Sequence, residues 1–177
     1  DKEQKRSFKR EVFSWIACIV VTILLTEFIL NFVIINANIP SGSMENTIMT
    51  NDKLIALRTS YWFNDPKRGD IIIFKYPDDE TEWFIKRVIA LPGETVLVKD
   101  GKVYINGSKK ALSEPYIKEE PVEDFGPYKV PKNGYFVMGD NRNNSNDARE
   151  WETHYVSRDE VLGKAWFRYY PSIKVIK

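Results

Sequence analysis

The fold is decided by two adjoining runs, Trp83-Phe-Ile-Lys-Arg-Val-Ile-Ala-Leu91 and Pro92-Gly-Glu-Thr-Val-Leu-Val-Lys-Asp-Gly-Lys-Val-Tyr-Ile105. Both are rich in β-branched and aromatic residues, which is typical of strands. Lys99-Asp-Gly-Lys102 places Asp-Gly at the centre of a tight turn, a strong hairpin signal. The stretch therefore predicts three strands, of which Thr95–Val98 and Val103–Ile105 form a hairpin.

Similar short runs occur on both sides of this stretch, at Leu54–Leu57, Asp70–Lys75, Tyr135–Met138 and Val161–Tyr169. Many short strands with few helical patterns predict a mainly β fold, a compact antiparallel barrel-like or sandwich-like body. Residues 100–132 are predicted as a short extended excursion outside the core, because they are polar from residue 108 on and carry four prolines.

The length, charge and cysteine count limit the size of the fold, its partners and its covalent cross-links. A length of 177 residues suits one domain plus an anchor. The net charge of +1 implies no nucleic-acid partner. Cys18 is the single cysteine, so an intramolecular disulfide is impossible and the fold depends on packing.

One apolar run, Val12–Leu30, is long enough for a membrane helix, since it covers ~28 Å of a hydrocarbon core of about 30 Å. Five basic residues precede it, and positive flanks stay in the cytoplasm. The sequence predicts a cytoplasmic segment at 1–11, a single transmembrane helix at 12–30 and an extracytoplasmic β-rich domain at 31–177. Glu27 is interpreted as an interfacial residue near the outer end, rather than as part of a proton path.

Two other interpretations of the apolar run stay open. A cleaved signal peptide would need a small-x-small site, which Ile34-Ile-Asn-Ala-Asn-Ile-Pro40 lacks. A buried helix of a soluble protein would show an amphipathic period, which the run lacks.

Two short segments downstream carry groups suited to hydrolysis. In Ser41-Gly-Ser43 the glycine permits a tight turn, and the Ser43 amide and the Ser41 hydroxyl can both point at a developing oxyanion. Lys86 shares a strand face with Phe84 and Val88. An amine among apolar groups has a lowered pKa and can act as a general base. A turn and a solvated strand-edge lysine are the ordinary alternatives.

A third segment, Gly139-Asp-Asn-Arg-Asn-Asn-Ser-Asn-Asp-Ala-Arg149, is almost wholly polar and follows a predicted strand. Asp and Arg two residues apart can pair and stiffen it. Such a loop beside a buried lysine offers hydroxyls that orient the amine, although a solvated loop is the simpler interpretation. Arg87 points away from Lys86 and needs an anion, for which Asp140 is a candidate.

In order and spacing, these segments resemble the type I signal peptidases of bacteria, over nearly the whole chain. The resemblance rests on four stretches: Ile39-Pro-Ser-Gly-Ser-Met44, Arg68-Gly-Asp-Ile-Ile-Ile-Phe74, Ile85-Lys-Arg-Val-Ile-Ala-Leu-Pro-Gly93 and Gly139–Arg149. It implies a mostly β fold whose apolar edge, such as Phe32-Val-Ile-Ile35, lies on the outer membrane surface.

The resemblance also implies roles for single residues. Ser43 would be the nucleophile and Lys86 the general base, with Ser41 and the Ser43 amide forming the oxyanion hole. The supporting residues would be Ser145, which orients the lysine, the ion pair Asp147–Arg149 and the buried pair Asp140–Arg87. The pockets for small substrate side chains would be lined by Ile39, Met44, Ile48, Phe84 and Ile85.

The chain departs from the family pattern at several positions. Asn46 stands where proline is usual, which puts the rigidity of the serine loop in doubt. Ala148 replaces a more usual serine, and Ala37 a bulkier aromatic residue. The short excursion resembles the smaller enzymes of Gram-positive bacteria. His154 lies outside the Lys86 segment, so it does not match the relatives that use histidine as base.

The expected function is removal of signal peptides from exported precursors at the outer face of the cell membrane. The expected partners are signal-peptide-bearing precursors and membrane lipid, with no cofactor, metal or nucleic acid. Two alternatives remain: a self-cleaving Ser/Lys protein, and an inactive membrane-tethered binding module.

Overall fold

The computed structural model describes residues 2–176, with side chains from residue 8 onward, so the predicted end points at residues 1 and 177 lie outside the described residues. Helix α1, Lys2–Phe28, continues into a π-helical turn, Ile29–Val33. Within the segment Phe8–Val33, the most apolar 18-residue window has a mean hydropathy of 2.4, and none of it is buried against the chain. This exposure argues against the alternative of a buried core helix.

Eleven strands follow the helix in the described residues. They are β1 Ile34–Asn38, β2 Lys53–Leu57, β3 Ile71–Tyr76, β4 Asp79–Ala90, β5 Thr95–Lys99, β6 Lys102–Ile105, β7 Phe125–Lys129, β8 Gly134–Met138, β9 Val156–Ser157, β10 Val161–Tyr170 and β11 Lys174–Val175. Short 3-10 turns lie at Arg58–Tyr61 and Arg158–Glu160.

The strands form two antiparallel sheets. The larger has the order β1-β2-β10-β3-β4-β8-β9, with β11 added to β10, and the smaller has the order β6-β5-β7. The predicted mainly β class with one N-terminal apolar helix is confirmed. Of the two predicted forms, barrel-like or sandwich-like, the described sheets do not close into a barrel, because β1 and β9 end the large sheet without pairing with each other.

Two apolar clusters hold the sheets together. The larger joins β3, β4, β5 and β8, and includes Phe74, Val88, Phe136 and Trp151. The smaller includes Met44 and Ile48, whose burial ties the loop after β1 to the sheet. Each such side chain contributes about 1.5–3 kcal/mol on burial. The loop that carries Ser43 is therefore fixed by apolar contacts close to the serine.

The strand β7 lies inside the segment that was predicted as an excursion outside the core. Phe125–Lys129 pairs with β5, and Val130 directly after it is 1% exposed. The backbone here is extended, but Phe125 and Tyr128 pack on the larger apolar cluster, so the prediction that these residues lie outside the core is wrong. Gly126-Pro127 interrupts the strand pattern, but β7 is an edge strand, where a residue without an amide hydrogen is tolerated.

Candidate active site

The amine of Lys86 donates a hydrogen bond to the hydroxyl of Ser43, with 2.9 Å between Nζ and Oγ. The two residues are 4% and 7% exposed. Ser43 lies in the loop of residues 39–48 (the Ser43 loop), between β1 and β2, and Lys86 lies in β4. The fold thus brings together a hydroxyl and an amine that are far apart in the sequence.

The strand pairing of β4 explains why Lys86 is buried yet still faces a cleft. On one side, Ile72 of β3 pairs with Lys86. On the other side, pairing with β8 covers only Arg87 to Ala90. Within the described residues, the edge of β4 beside Lys86 therefore has no strand partner, and the Lys86 side chain reaches the Ser43 hydroxyl.

Burial changes the acid–base chemistry of Lys86. Loss of hydration lowers the pKa of Lys86 from 10.5 to about 8, and the negative charge of Asp147 opposes that fall. The ring of Phe84 lies 5.2 Å from Nζ and forms part of the apolar surround. A pKa near 8 leaves a usable fraction of neutral amine at physiological pH.

Ser41 is exposed, and its hydroxyl lies 3.4 Å from the Ser43 hydroxyl. The glycine between the two serines lies at the turn in which the Glu45 amide donates to the Gly42 carbonyl. The Ser41 hydroxyl thus lies beside the Ser43 hydroxyl at the cleft that both residues line.

Arg87 and Asp140 form a buried bidentate ion pair, 2% and 0% exposed. Arg87 Nε and Nη2 lie 2.8 and 2.7 Å from the two carboxylate oxygens. The carboxylate also accepts from the Thr47 hydroxyl, and Arg87 Nη1 donates to the Gly69 carbonyl. The pair therefore connects β4, the Ser43 loop and the polar loop of residues 139–149.

Most of the polar loop is buried and packs against the Ser43 loop, while Asn143, Asn144 and Asn146 are exposed. The Asn141 amide donates to the Ser43 carbonyl at 3.1 Å, and its side chain donates to the Gly42 carbonyl at 3.0 Å. Gly139 lies so close that an added Cβ would collide with the Ser43 carbonyl oxygen and the Ser145 hydroxyl. This close approach needs glycine.

Asp147 and Arg149 pair within the polar loop, as expected from their spacing, with Arg149 Nε 2.9 Å from Asp147 Oδ1. Asp147 also accepts from the Gly139 amide at 2.9 Å. Ser145 differs from the expectation. Its hydroxyl is buried without a hydrogen-bond partner in the described part of the chain, so no bond to Lys86 forms in this structure.

A cleft of about 610 Å³ opens at the Ser43–Lys86 pair. Of the predicted pocket residues, Ile39, Phe84 and Ile85 line it. Met44 and Ile48 are 0% and 1% exposed and belong to the smaller apolar cluster, so they support the loop from below instead of lining the cleft.

A second cavity, of about 240 Å³, adjoins the first along β1 and β4, and Ala37 lines it. Six residues of the main cleft were not predicted as site residues, namely Pro40, Gly42, Glu82, Trp83, Asn144 and Asn146. For Glu82 the sequence does contain a signal, because side chains alternate along β4 and Glu82 shares the face of Phe84 and Lys86.

Two further polar contacts escaped prediction. Arg142 pairs with Glu114, with side chains 0% and 6% exposed. Trp151 donates from its indole to Asn146 at 2.7 Å. Arg142 lay in a recognised motif, but its partner lies in the Pro-rich stretch, where no pattern marks it.

The single histidine packs away from the Ser43–Lys86 pair. His154 donates from Nδ1 to the Ala148 carbonyl at 2.8 Å and packs edge-on against Phe125 and Tyr128. Among the described residues, no cluster of three or more histidine, cysteine, aspartate or glutamate residues could hold a metal ion.

Comparison with known proteins places these features in a family. The family model "Signal peptidase, peptidase S26" matches residues 12–170. A probable signal peptidase I-2 of Synechocystis sp. is 44% identical over 161 residues, which cover 88% of this chain and 72% of that protein. Signal peptidase I of Bacillus amyloliquefaciens is 34% identical over 99% of this chain and 97% of that protein.

A solved signal peptidase I from Enterococcus faecalis V583 is 36% identical to the chain with a TM-score of 0.49, and covers 57% of this chain and 97% of the other. The family model matches residues 12–170, and the Synechocystis and Bacillus relatives are 44% and 34% identical over most of the chain. These matches show that the chain belongs to the signal peptidase family, peptidase S26.

Proposed function

We propose that this chain is a membrane-anchored serine endopeptidase that removes signal peptides from exported precursors, with Ser43 as nucleophile and Lys86 as general base. Family membership supports the activity. The single observation that carries the assignment of residues is the 2.9 Å contact between a buried amine and a buried hydroxyl at the floor of a cleft.

The first half of the reaction forms an acyl-enzyme. Neutral Lys86 accepts the hydroxyl proton as Ser43 Oγ bonds to the scissile carbonyl carbon, and the carbonyl electrons move to the oxygen. The Ser43 amide and the Ser41 hydroxyl stabilise this oxyanion, at about 3–4 kcal/mol per well-placed donor. When the intermediate collapses, the Lys86 ammonium gives its proton to the departing amine.

The second half repeats these proton transfers with water. Lys86, neutral again, takes a proton from a water molecule that attacks the ester carbonyl. The second tetrahedral intermediate then collapses, and the ammonium returns the proton to Ser43 Oγ. Burial keeps the lysine neutral often enough for both steps, because each step needs an unprotonated amine at its start.

The substrate is proposed to bind as an extended segment along β4. The part of β4 before Arg87 pairs with β3 on one side only, and this part borders the cleft. A strand edge of this kind can bind a peptide main chain, while Ile39, Phe84 and Ile85 offer apolar contacts for small side chains.

The membrane arrangement is part of the same proposal. Residues 1–11 would lie in the cytoplasm, the apolar helix would cross the cell membrane once, and residues 31–177 would lie outside. The basic residues before the helix support this direction. Membrane lipid and membrane-inserted precursors would be the partners, and anchoring raises the effective concentration of enzyme near them.

The test incubates the detergent-solubilised chain with a precursor that carries an Ala-x-Ala cleavage site. Ser43→Ala and Lys86→Ala should each abolish cleavage, whereas Ser108→Ala, at an exposed position, and Lys75→Ala, whose side chain is partly exposed, should leave it unchanged. Full activity in either dyad variant would refute the assignment. Self-cleavage alone would favour the self-cleaving alternative, and no product would favour an inactive binding module.

A further inference from the structure

We propose that the segment Glu114–Lys118, called the strap below, is a positioning element that holds the Ser43 loop and the polar loop in register with Lys86. The inference rests on the proposed function, because it assigns a role in the same reaction. The strap lies in the Pro-rich stretch, outside the four sequence segments that resemble the family.

The first set of contacts joins the strap to the polar loop. Glu114 accepts from Arg142 through both carboxylate oxygens, at 3.0 and 2.5 Å. Arg142 Nε in turn donates to the Gly139 carbonyl at 3.0 Å. The Lys118 amide donates to the Asp140 carbonyl at 3.0 Å. The strap thus fixes the part of the polar loop that touches Ser43.

The second set joins the strap to the Ser43 loop directly. The side-chain amide of Asn46 donates to the Ile117 carbonyl at 3.1 Å. Lys118 Nζ lies 2.8 Å from a carboxylate oxygen of Glu45, although this pair is partly exposed and contributes little by itself. Both contacts fall within three residues of the nucleophile.

The third contact joins the strap to β4. The Tyr116 ring lies against the Arg87 guanidinium, 3.9 Å from carbon to ring centroid. Its hydroxyl donates to Glu114 at 3.0 Å, and burial raises the pKa of Tyr116, which keeps that proton in place. Arg87 follows Lys86 directly, so the strap is anchored on the strand that carries the base.

The strap therefore contacts all three elements that meet at the dyad. Most of these contacts are polar and directional, and the Glu114–Arg142 ion pair is largely buried, with side chains 6% and 0% exposed. Buried ion pairs add little net stability after desolvation, but they define one geometry. Misplacing a reacting group by about 1 Å can cost about 100-fold in rate. We expect loss of strap contacts to separate the hydroxyl from the amine and to admit water to Lys86.

The test compares Glu114→Gln and Tyr116→Leu with Tyr116→Phe, which keeps the ring on Arg87. The matched control is Glu94→Gln, which weakens the Arg68–Glu94 bidentate pair, a pair formed without any strap residue. For the first two variants we expect kcat to fall about 10- to 100-fold with KM changed less than about threefold. Tyr116→Phe should retain most of kcat.

A second readout separates positioning from folding. The charged groups near Lys86 are Asp147 and, in the cleft lining, Glu82, and neither is changed in these variants. We expect the acidic limb of kcat/KM to move to higher pH in Glu114→Gln and Tyr116→Leu, and to stay in place in Glu94→Gln. Loss of activity that merely follows the folded fraction, with an unmoved pH profile, would overturn the inference.

A third readout does not depend on peptidase activity. The Lys86 amine can be titrated by NMR of ¹⁵N-lysine side chains, with its signal assigned from Lys86→Met. A higher titration midpoint in both strap variants supports the inference even if the parent chain cuts no precursor, in which case only the proposed function fails. An unchanged midpoint in both variants refutes the strap role.

Discussion

Replacing Phe84 with alanine is expected to raise the pKa of Lys86 and to move the acidic limb of the pH–rate profile upward. The Phe84 ring lines the cleft and lies 5.2 Å from the Lys86 amine. Its removal opens one side of the amine to the cleft, so water can solvate the ammonium form.

The magnitude follows from the burial of Lys86. The pKa falls from 10.5 to about 8, which corresponds to about 3 kcal/mol against the charged form. At pH 7 a pKa of about 8 leaves about 9% of the amine neutral, against ~0.03% for an ordinary lysine. A rise of about one pH unit in Phe84→Ala would therefore lower the reactive fraction at pH 7 about tenfold.

A competing effect has the opposite sign but is smaller. The ring also attracts the ammonium, and such a contact stabilises the charged form by about 0.5–1 kcal/mol. Its loss would lower the pKa of Lys86. A rise of one pKa unit from lost desolvation corresponds to about 1.4 kcal/mol, which exceeds this opposing contribution, so the net change is expected to be a rise.

The assay measures kcat/KM for a signal-peptide substrate between pH 6 and 11. Phe125→Ala is the control, because Phe125 is also a partly buried phenylalanine packed on the larger apolar cluster, but does not line the cleft. Phe84→Ala should lose activity at pH 7 and recover most of it above pH 10. A uniform loss at every pH, or a limb that moves to lower pH, would refute the reasoning.

Three further predictions concern stability and the two loops. Lys86→Met should raise the free energy of unfolding at pH 7 by as much as about 3 kcal/mol, because burial opposes the charged amine. In urea denaturation this gain should be constant below about pH 8. It should vanish as the pH rises to 10.5, where the unfolded lysine also loses its proton. Asn46→Pro should lower the melting temperature, because Asn46 has a φ of 85° and proline is fixed near −65°, whereas Asn46→Gly should change it little. Gly139→Ala should reduce cleavage about 100-fold, because its Cβ collides with the Ser43 carbonyl, and an unchanged kcat would contradict the close approach.

Much of the fold could be predicted, because strand signals are local. Trp83–Leu91 was predicted from its composition, and β4 covers it except for the last residue. The missed strands lacked such a signal. Ile34–Asn38 has one buried residue beside exposed asparagines, and Phe125–Lys129 carries a glycine and a proline. These strands form because a neighbour supplies hydrogen bonds, which is a tertiary effect.

The candidate site could be predicted only in part, for a similar reason. The resemblance to the family singled out Ser43 and Lys86, and burial alone made Lys86 a plausible base. Nothing in the sequence relates Glu114 to Arg142, since their pairing depends on how the Pro-rich stretch crosses the polar loop. Met44 was expected at the surface of a pocket, but an apolar residue beside a nucleophile can equally face inward.

The Ser43 loop carries asparagine at position 46, where the family usually has proline, so contacts with neighbouring residues must hold the loop in place. Proline stabilises a loop by limiting the unfolded chain only where φ is near −65°, and the φ of 85° at Asn46 excludes that effect in this loop. Here Met44 and Ile48 are buried on both sides of the turn, and Asn46 bonds to the Ile117 carbonyl. The loop is thus held by its partners instead of by its own backbone. In relatives that keep the proline, loss of strap contacts should therefore impair catalysis less than in this chain, a difference measurable by the same kcat comparison.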